Sequence, residues 1–282
     1  MRFSRNAIIA VYLLAGVALL SGAKGQQVEA PAAWLRSRQA IGDVASLRAL
    51  TLRGREVSGF NAITGEFGEG KGPVEVQVVL PDQYLEVKER HYGDNRVIAL
   101  RTGFRGNVRI RELDRTRTSS GITGPDPATG PPTSEQRDFA RLMLALALRN
   151  DTALPMTVQL DRAGSGFELR GPAALHVFVD VDSKTLLPTR IRYREERRFP
   201  AQAPVRSNMP AVVAPSMPAP RETEVTLILE DRRTVSGLNL PFRIRDVADG
   251  VTFRITQFDE IIVNPHLRPA DFRQQPSQAP VR

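Results

Sequence analysis

The sequence predicts a mainly β protein (α+β) in which successive hairpins build one antiparallel sheet accompanied by helices. A Leu-Pro phrase precedes strand-like patterns at Leu187–Pro188 and Leu240–Pro241, with a partial copy at Leu80–Pro81. Proline has no N–H to donate, so within sheets it is confined to strand starts, edges and bulges. Apolar and polar residues alternate over Val74–Leu80, which indicates a strand with one buried face. Asp249–Gly250 is a strong hairpin-turn signal.

The first residues predict an export signal, residues 1–25. Arg2 and Arg5 precede Ala7–Leu20, an uncharged apolar run of 14 residues. Small residues then allow cleavage after Ala23 or Gly25. The run is shorter than the roughly 20 residues of a membrane-spanning helix, although an uncleaved anchor stays the alternative. We expect residues 26–273 to form a single domain and residues 274–282 a disordered tail.

The amino-acid composition excludes several kinds of covalent and metal-binding chemistry. The 282 residues contain no cysteine, which excludes disulfides, thiolate metal sites and lipidation at the N-terminus. The formal net charge is +8, and loss of Arg2, Arg5 and Lys24 with the signal leaves 36 basic and 31 acidic residues, or +5. This charge is compatible with an anionic membrane surface as a partner. The arginines are scattered along predicted strands, which favours a solvated face, and export argues against nucleic acid.

The first half of the domain reads as a helix followed by a strand meander. Ala33–Leu50 has helical spacing of apolar residues, with Gly42 as its weak point. The glycine-rich stretch Phe60–Pro73 lacks a phosphate-loop pattern and predicts a hairpin loop. Strands are predicted around it at Leu50–Val57, Val74–Leu80, Tyr84–Arg90, Arg96–Arg101 and Asn107–Leu113.

A second helix interrupts the strands. Thr133 and Gln136 have capping-box spacing, and apolar residues from Phe139 onward form one face, so this helix should cover a face or mouth of the sheet. Hairpins then resume and continue to Val263, with a slip in alternation at Phe258 that indicates a bulge. Residues 199–221 contain six prolines and predict a long disordered hairpin loop inside the domain.

Two segments resemble the LolA/LolB-like group of periplasmic lipoprotein carriers and their lipoprotein-sorting relatives. Val181–Arg190 resembles the group's hydrophobic-Asp-x-x-Thr-x-Leu-Pro-x-Arg hairpin. Gly237–Ile244, followed by Asn264–Pro265 and Asp271–Phe272, looks like its closing hairpin and terminal turn. The resemblance covers most of residues 33–273. It implies a curved, unclosed antiparallel barrel or half-barrel of about 10–11 strands, with helices covering the concave face or mouth.

The resemblance also implies a periplasmic carrier that holds lipid or lipoprotein acyl chains in an apolar cavity, without catalysis. The proline-rich loop and the absence of a lipidation cysteine depart from the lipidated receptor branch, which leaves soluble carriers and regulators open. The carriers of this group have an arginine in their cavity. Too many arginines of this chain could correspond to it, so we assign that role to none of them. The candidate ligand-binding residues are Val76, Val78, Leu80, Tyr84, Phe178, Phe242, Ile244, Phe253 and Ile255 from strands, with Leu142 and Leu146 from the helix.

The sequence contains no convincing pattern for a catalytic site or a metal site. His91, His176 and His266 have no partners at metal-ligand spacing. Asp180 and Asp182 could form a metal pair, but an Asx turn explains Asp182. We therefore expect no enzyme activity, no cofactor and a monomer. The competing hypothesis is a cell-envelope scaffold or regulator with a filled core, since the sequence cannot distinguish a filled barrel from a hollow one.

Overall fold

The computed structural model describes residues 25–60, 67–91, 97–115, 118–119, 132–161, 165–197 and 221–268, together with Phe272. Two helices are present in this part of the chain, α1 (Gly25–Ile41) and α2 (Ser134–Ala147). The strands are β1 (Ala49–Phe60), β2 (Phe67–Val79), β3 (Gln83–His91), β4 (Val97–Arg105), β5 (Val108–Arg115), β6 (Thr118–Ser119), β7 (Thr157–Leu160), β8 (Gly166–Arg170), β9 (His176–Val181), β10 (Pro188–Arg197), β11 (Arg221–Val235), β12 (Leu238–Ala248) and β13 (Val251–Val263).

All the strands belong to one sheet, in the order β6-β5-β4-β3-β2-β1-β13-β12-β11-β10-β9-β8-β7. Every pairing is antiparallel, and the sheet is curved and not closed. The predicted fold class is therefore confirmed. The sheet has 13 strands rather than about 10–11, and its shortest, β6, falls in a stretch that the sequence assigns to a loop. A two-residue strand is too short to carry a period.

Helix α1 begins and ends earlier than the sequence predicts. The prediction was Ala33–Leu50, but the helix spans Gly25–Ile41. It ends at Gly42, which adopts φ +129° and lies so close to the β11–β12 turn that a Cβ would be 2.2 Å from the carbonyl oxygen of Gly237. Only glycine combines that backbone angle with that approach. Trp34 of α1 packs edge-on against Phe167 at 5.0 Å between ring centroids.

Helix α2 begins as predicted. The Thr133 hydroxyl accepts from the backbone N–H of Gln136, and the Gln136 side chain accepts from the Thr133 N–H, so both halves of the capping box are formed. The helix ends at Ala147, and Leu148 takes the left-handed conformation with φ 47°. Residues 143–147 of this helix are fully buried, which places α2 against the sheet as predicted.

The Leu-Pro phrases have three different positions. Pro188 begins β10, as predicted for a strand entry, and Pro81 lies in the turn between β2 and β3. Pro241, however, lies inside β12 opposite Arg232, beside Asp231 at φ 52°. Distorted backbone next to a proline is the usual way a strand tolerates the missing N–H. The register also shifts where β1 passes Phe258, as the slip in alternation predicts.

The main core lies between the two helices and one face of the sheet, here called the inner face. Inner-face residues alternate along each strand, for example Leu240, Phe242 and Ile244 on β12. A small second cluster of Leu85, Ile110 and Phe272 covers part of the opposite, outer face. In the part of the chain that is described, neither helix has the length and apolarity needed to cross a bilayer.

Several predictions concern residues outside the described ranges. These are the export signal up to residue 24, residues 61–66 of the glycine-rich stretch, the proline-rich loop apart from Arg221, and the tail after Phe272. The loop prediction is wrong for the rest of the glycine-rich stretch, because β2 begins at Phe67 and its Gly70, Lys71 and Gly72 pair with β1. Glycines give no apolar alternation from which a strand could be predicted. The predicted turn at Asp182 is described, and its carboxylate accepts from the backbone N–H groups of Lys184 and Thr185 at 3.0 and 2.7 Å. The Asx-turn interpretation of Asp182 is thus confirmed.

Candidate functional site

A cavity of about 70 Å³ lies between helix α2 and the inner face. Its walls have two distinct characters. The apolar part is formed by Val74, Val76, Tyr84, Leu142, Tyr193, Leu227, Ile244 and Phe258. The charged part, with Thr256 beside it, is formed by Glu86, Asp138, Arg141, Asp246 and Arg254. The wall of the cavity therefore combines apolar and charged side chains.

Helix α2 is placed over the cavity by an aromatic cluster. Phe139, on its buried face, lies 5.7 Å from the Tyr84 ring and 5.4 Å from the Phe104 ring. Tyr84 and Phe104 face each other across the β3–β4 pair. Offset and edge-on contacts of this kind add about 0.5–1.5 kcal/mol each beyond the burial of their area. They fix the N-terminal half of α2, and with it Asp138, Arg141 and Leu142.

Arg141 joins α2 to β10. Its guanidinium carbon lies 3.5 Å from the Tyr193 ring centroid, and Nη1 donates to Glu195 at 2.9 Å and to Asp138 at 3.2 Å. Arg141 is only 5% exposed, so these contacts act with little screening. Burial raises the pKa of Tyr193, which keeps the phenol neutral. Burial also raises the pKa of Asp138 in spite of Arg141 and Arg254.

A second buried ion pair joins β12 and β13. Arg254 Nε donates to Asp246 Oδ2 at 2.6 Å, and the Asp246 side chain is only 1% exposed. Burial alone would lower the pKa of Arg254, but the carboxylates of Asp246, Glu56 and Glu86 outweigh it and raise this pKa well above the ordinary value. Arg254 therefore carries a permanent charge at the cavity.

Lys88 completes the charged region from β3. Its Nζ lies 2.7 Å from Glu56 and 2.9 Å from Glu86, and the Lys88 side chain is 8% exposed. Carboxylates and cations thus alternate over this end of the inner face. Buried charges are costly unless they are paired, and the charges in this region are paired with one another.

The structure brings four of the eleven predicted ligand-binding residues to the cavity wall, namely Val76, Tyr84, Leu142 and Ile244. Three more, Val78, Leu146 and Phe242, are buried in the packed core beside it. Leu80 and Phe253 are partly buried and pack against that core, with Phe253 at a shift in the β12–β13 register.

Phe178 and Ile255 lie on the outer face. Phe178 alternates with Val177 and Val179, which are the buried core residues of β9. Ile255 alternates with Arg254 and Thr256, which line the cavity. Neither side chain can therefore contribute to the cavity in this structure.

The sequence reasoning missed the charged part of the wall. Residues two positions apart in a strand point to the same face of the sheet. Asp246 follows the wall residue Ile244 by two positions, and Glu86 follows Tyr84 by two, so this spacing could have predicted the charged residues. Charged residues at inward positions of an otherwise apolar strand mark a polar cavity. In the described part of the chain no group of three or more His, Asp or Glu residues could hold a metal ion.

Comparison with known proteins gives matches in structure only. No protein-family model and no curated protein matches the sequence. A LolA superfamily protein from Nitrosomonas europaea matches with a TM-score of 0.45 at 11% identity, over 87% of this chain and 97% of that chain. A DUF1329 family protein from Desulfovibrio piger matches with a TM-score of 0.46 at 10% identity, over 86% and 97%. Both identities are too low to transfer a function to this chain.

Proposed function

We propose that this chain is an exported, non-catalytic binding protein that carries a lipid or lipoprotein in the periplasm. The acyl part would lie between helix α2 and the inner face, and the head group would lie beside the charged residues of the cavity wall. The observation that supports this function is the cavity between α2 and the sheet, whose wall is apolar over one part and charged at Asp138, Arg141 and Arg254 over another. Each buried CH₂ group contributes about 0.8 kcal/mol, so even part of an acyl chain would bind usefully.

The cavity must enlarge to accept such a ligand. Its volume of about 70 Å³ is well below the roughly 300–1,000 Å³ of small-molecule pockets. Helix α2 would have to move, because it forms the wall of the cavity opposite the sheet. Its movement would break the ion pairs of Arg109 Nη2 on β5 with Glu135, at 2.8 Å, and of Arg141 with Glu195 on β10. It would also separate Phe139 from Tyr84 and Phe104, and the acyl chain would replace the apolar contacts that Phe139 loses.

Native mass spectrometry of the exported protein, purified without detergent, tests this function directly. Co-purified lipid or lipopeptide in stoichiometric amount, identified after solvent extraction, is the expected result. Leu142→Trp should then abolish loading, because the larger ring occupies the cavity. The matched control is Leu35→Trp on α1, where the side chain is 53% exposed. A protein that stays free of ligand after incubation with lipids would refute the proposal.

The movement of α2 can be tested separately, because introduced cysteines would be the only thiols in the chain. Arg109→Cys with Glu135→Cys, joined by a short reducible crosslinker, should block loading of a fluorescent fatty acid. Reduction of the crosslinker should restore it. Equal loading rates in the crosslinked and reduced forms would show that α2 does not need to move.

One observation favours a second candidate, a non-enzymatic envelope scaffold or regulator. The core under α2 is densely filled, and Met143, Leu144 and Leu146 are completely buried. A scaffold would need a docking patch, but the exposed large apolar residues of the described ranges, Leu35, Val108 and Val251, lie on three separate elements. A ligand-free protein that is captured by another envelope protein would favour this second function.

A further inference from the structure

A row of side chains crosses six neighbouring strands on the outer face, opposite the cavity. The strand registers pair Arg190 with Ile228, Ile228 with Arg245 and Arg245 with Ile255. The row continues because Val57 pairs with both Ile255 and Lys71. With strands about 4.8 Å apart, the row is roughly 24 Å long. Cations and aliphatic side chains therefore share one continuous strip, here called the outer row.

Cations outnumber carboxylates in the outer row and at the positions two residues from it. Arg55 and Arg243 lie two residues from row members, on the same side of their strands, and so does Arg192, which adds three cations to the three in the outer row. Arg243 and Arg245 share the single carboxylate of Glu230, at 3.2 and 2.7 Å. Arg192 is paired with Asp180 at 2.7 Å. Six cations thus face two carboxylates.

Three of these cations have no carboxylate partner among the residues that the structure describes. They are Arg55, Lys71 and Arg190, and all three are exposed. The groove of about 800 Å³ beside this end of the row is also lined by Arg55 and Lys71, together with Arg53, Glu75, Glu89 and Asp259. These three carboxylates therefore lie near Arg55 and Lys71 without forming an ion pair with either of them.

We propose that the outer row docks the protein on an anionic lipid bilayer. The chemistry of the row fits such a surface in two ways. Guanidinium groups bind phosphate with two parallel hydrogen bonds. Ile228, Ile255 and Val57, each partly exposed between the cations, can enter the interfacial region below the phosphates. An acidic protein surface would satisfy the arginines but would give no such role to three aliphatic side chains in a line.

Docking in this orientation leaves the cavity and helix α2 on the side away from the bilayer. The inference is independent of the proposed carrier function, because it concerns the opposite face of the sheet. Vesicle binding could fail while ligand loading succeeds, and the reverse holds as well.

Flotation with vesicles of phosphatidylcholine, with and without phosphatidylglycerol, tests the proposal. The protein should bind only the phosphatidylglycerol vesicles at about 0.1 M salt, where the screening length is about 10 Å, and be released at about 1 M salt, where it is about 3 Å. The triple variant Arg55→Glu, Lys71→Glu and Arg190→Glu should lower the partition coefficient at least tenfold, since each cation near an anionic surface contributes a factor of roughly five.

The matched control reverses three exposed arginines elsewhere, Arg36→Glu, Arg105→Glu and Arg111→Glu, for the same change in net charge. This control should retain most of the binding. Equal loss in both triple variants would show that net charge alone drives binding and would overturn the assignment to the outer row. Absence of binding by the unaltered protein would overturn the proposal, and an acidic protein partner would then be sought for the same arginines.

A second measurement does not depend on charge reversal. Ile255→Trp should shift its fluorescence to the blue on mixing with phosphatidylglycerol vesicles, because the ring enters the interface. Val108→Trp, at a position 56% exposed near the β4–β5 turn, should not respond. The native Trp34 is buried and gives a constant background in both variants. A shift in Val108→Trp without one in Ile255→Trp would place the contact elsewhere.

Discussion

Removal of Arg254 should destabilise the protein much more than removal of its partner. Arg254→Met leaves the Asp246 carboxylate, 1% exposed, without the guanidinium that it faces. Breaking a buried ion pair by taking one partner costs about 3–5 kcal/mol. For a domain of this size that is a fall in Tm of roughly 6–20 °C. Asp246→Asn should cost only about 1–2 kcal/mol, because Arg254 is 29% exposed and still faces Glu56 and Glu86.

Urea unfolding, followed by the fluorescence of the single tryptophan Trp34, measures these differences. The double variant Arg254→Met with Asp246→Asn should be more stable than Arg254→Met alone, since no buried charge is then left over. Arg192→Met is the control on the outer face, where the pair with Asp180 is about one-third exposed and should contribute less than about 1 kcal/mol. If Asp246→Asn costs as much as Arg254→Met, or the two single effects simply add, the reasoning is wrong.

Three further predictions concern stability. Phe139→Ala should cost about 3–5 kcal/mol in urea unfolding, because it removes a fully buried ring from between Tyr84 and Phe104; a cost below about 1 kcal/mol would contradict this packing. Gly42→Ala should lower Tm, since its Cβ would clash with the Gly237 carbonyl at φ +129°, and an unchanged Tm would mean that the α1 terminus can shift. Asp138→Asn should raise Tm only slightly at neutral pH, because burial raises the pKa of the folded carboxyl above its ordinary 3.8, but half of the side chain is exposed to solvent, which weakens the effect. That gain should shrink as the pH falls through the raised pKa and disappear below 3.8, whereas a gain that persists there would refute the assignment.

Local sequence signals predicted much of the fold because they act over a few residues. The alternation of Val74–Leu80, the capping box at Thr133 and the turn at Asp182 all involve contacts within one element. The end of α1 was predicted less well, because it depends on Gly42 meeting Gly237 almost 200 residues later. A contact between residues so far apart in the chain leaves no signal in the local sequence around Gly42.

The candidate site was predicted in part for a related reason. Alternation separates two faces of a strand but does not say which one is inside. In β13 the apolar Phe253 and Ile255 suggest the inward side, yet Arg254 and Thr256 line the cavity because that end of the inner face is charged. In β9 the residues Val177, Phe178 and Val179 are all apolar, so alternation does not show which face of the strand is buried. The outer row was likewise hidden, since its arginines are scattered in sequence and become neighbours only through strand register.

The pairing of β1 with β13 has a consequence for how the chain folds. The sheet consists of two meanders, β1 to β6 and β7 to β13, in which each strand pairs with the next one along the chain. They join along a single seam between residues roughly 200 apart, at whose end the Asn264 side chain accepts from the backbone N–H groups of Arg48 and Ala49. The strands of each half pair with their neighbours in sequence, but the halves also meet outside the seam, where Trp34 of α1 contacts Phe167 of β8 and Phe139 of α2 contacts Tyr84 of β3. A chain cut between β6 and α2 would yield two fragments, one with β1 and the other with β13 as an unpaired edge strand. These two edges could pair with each other, as exposed edge strands do.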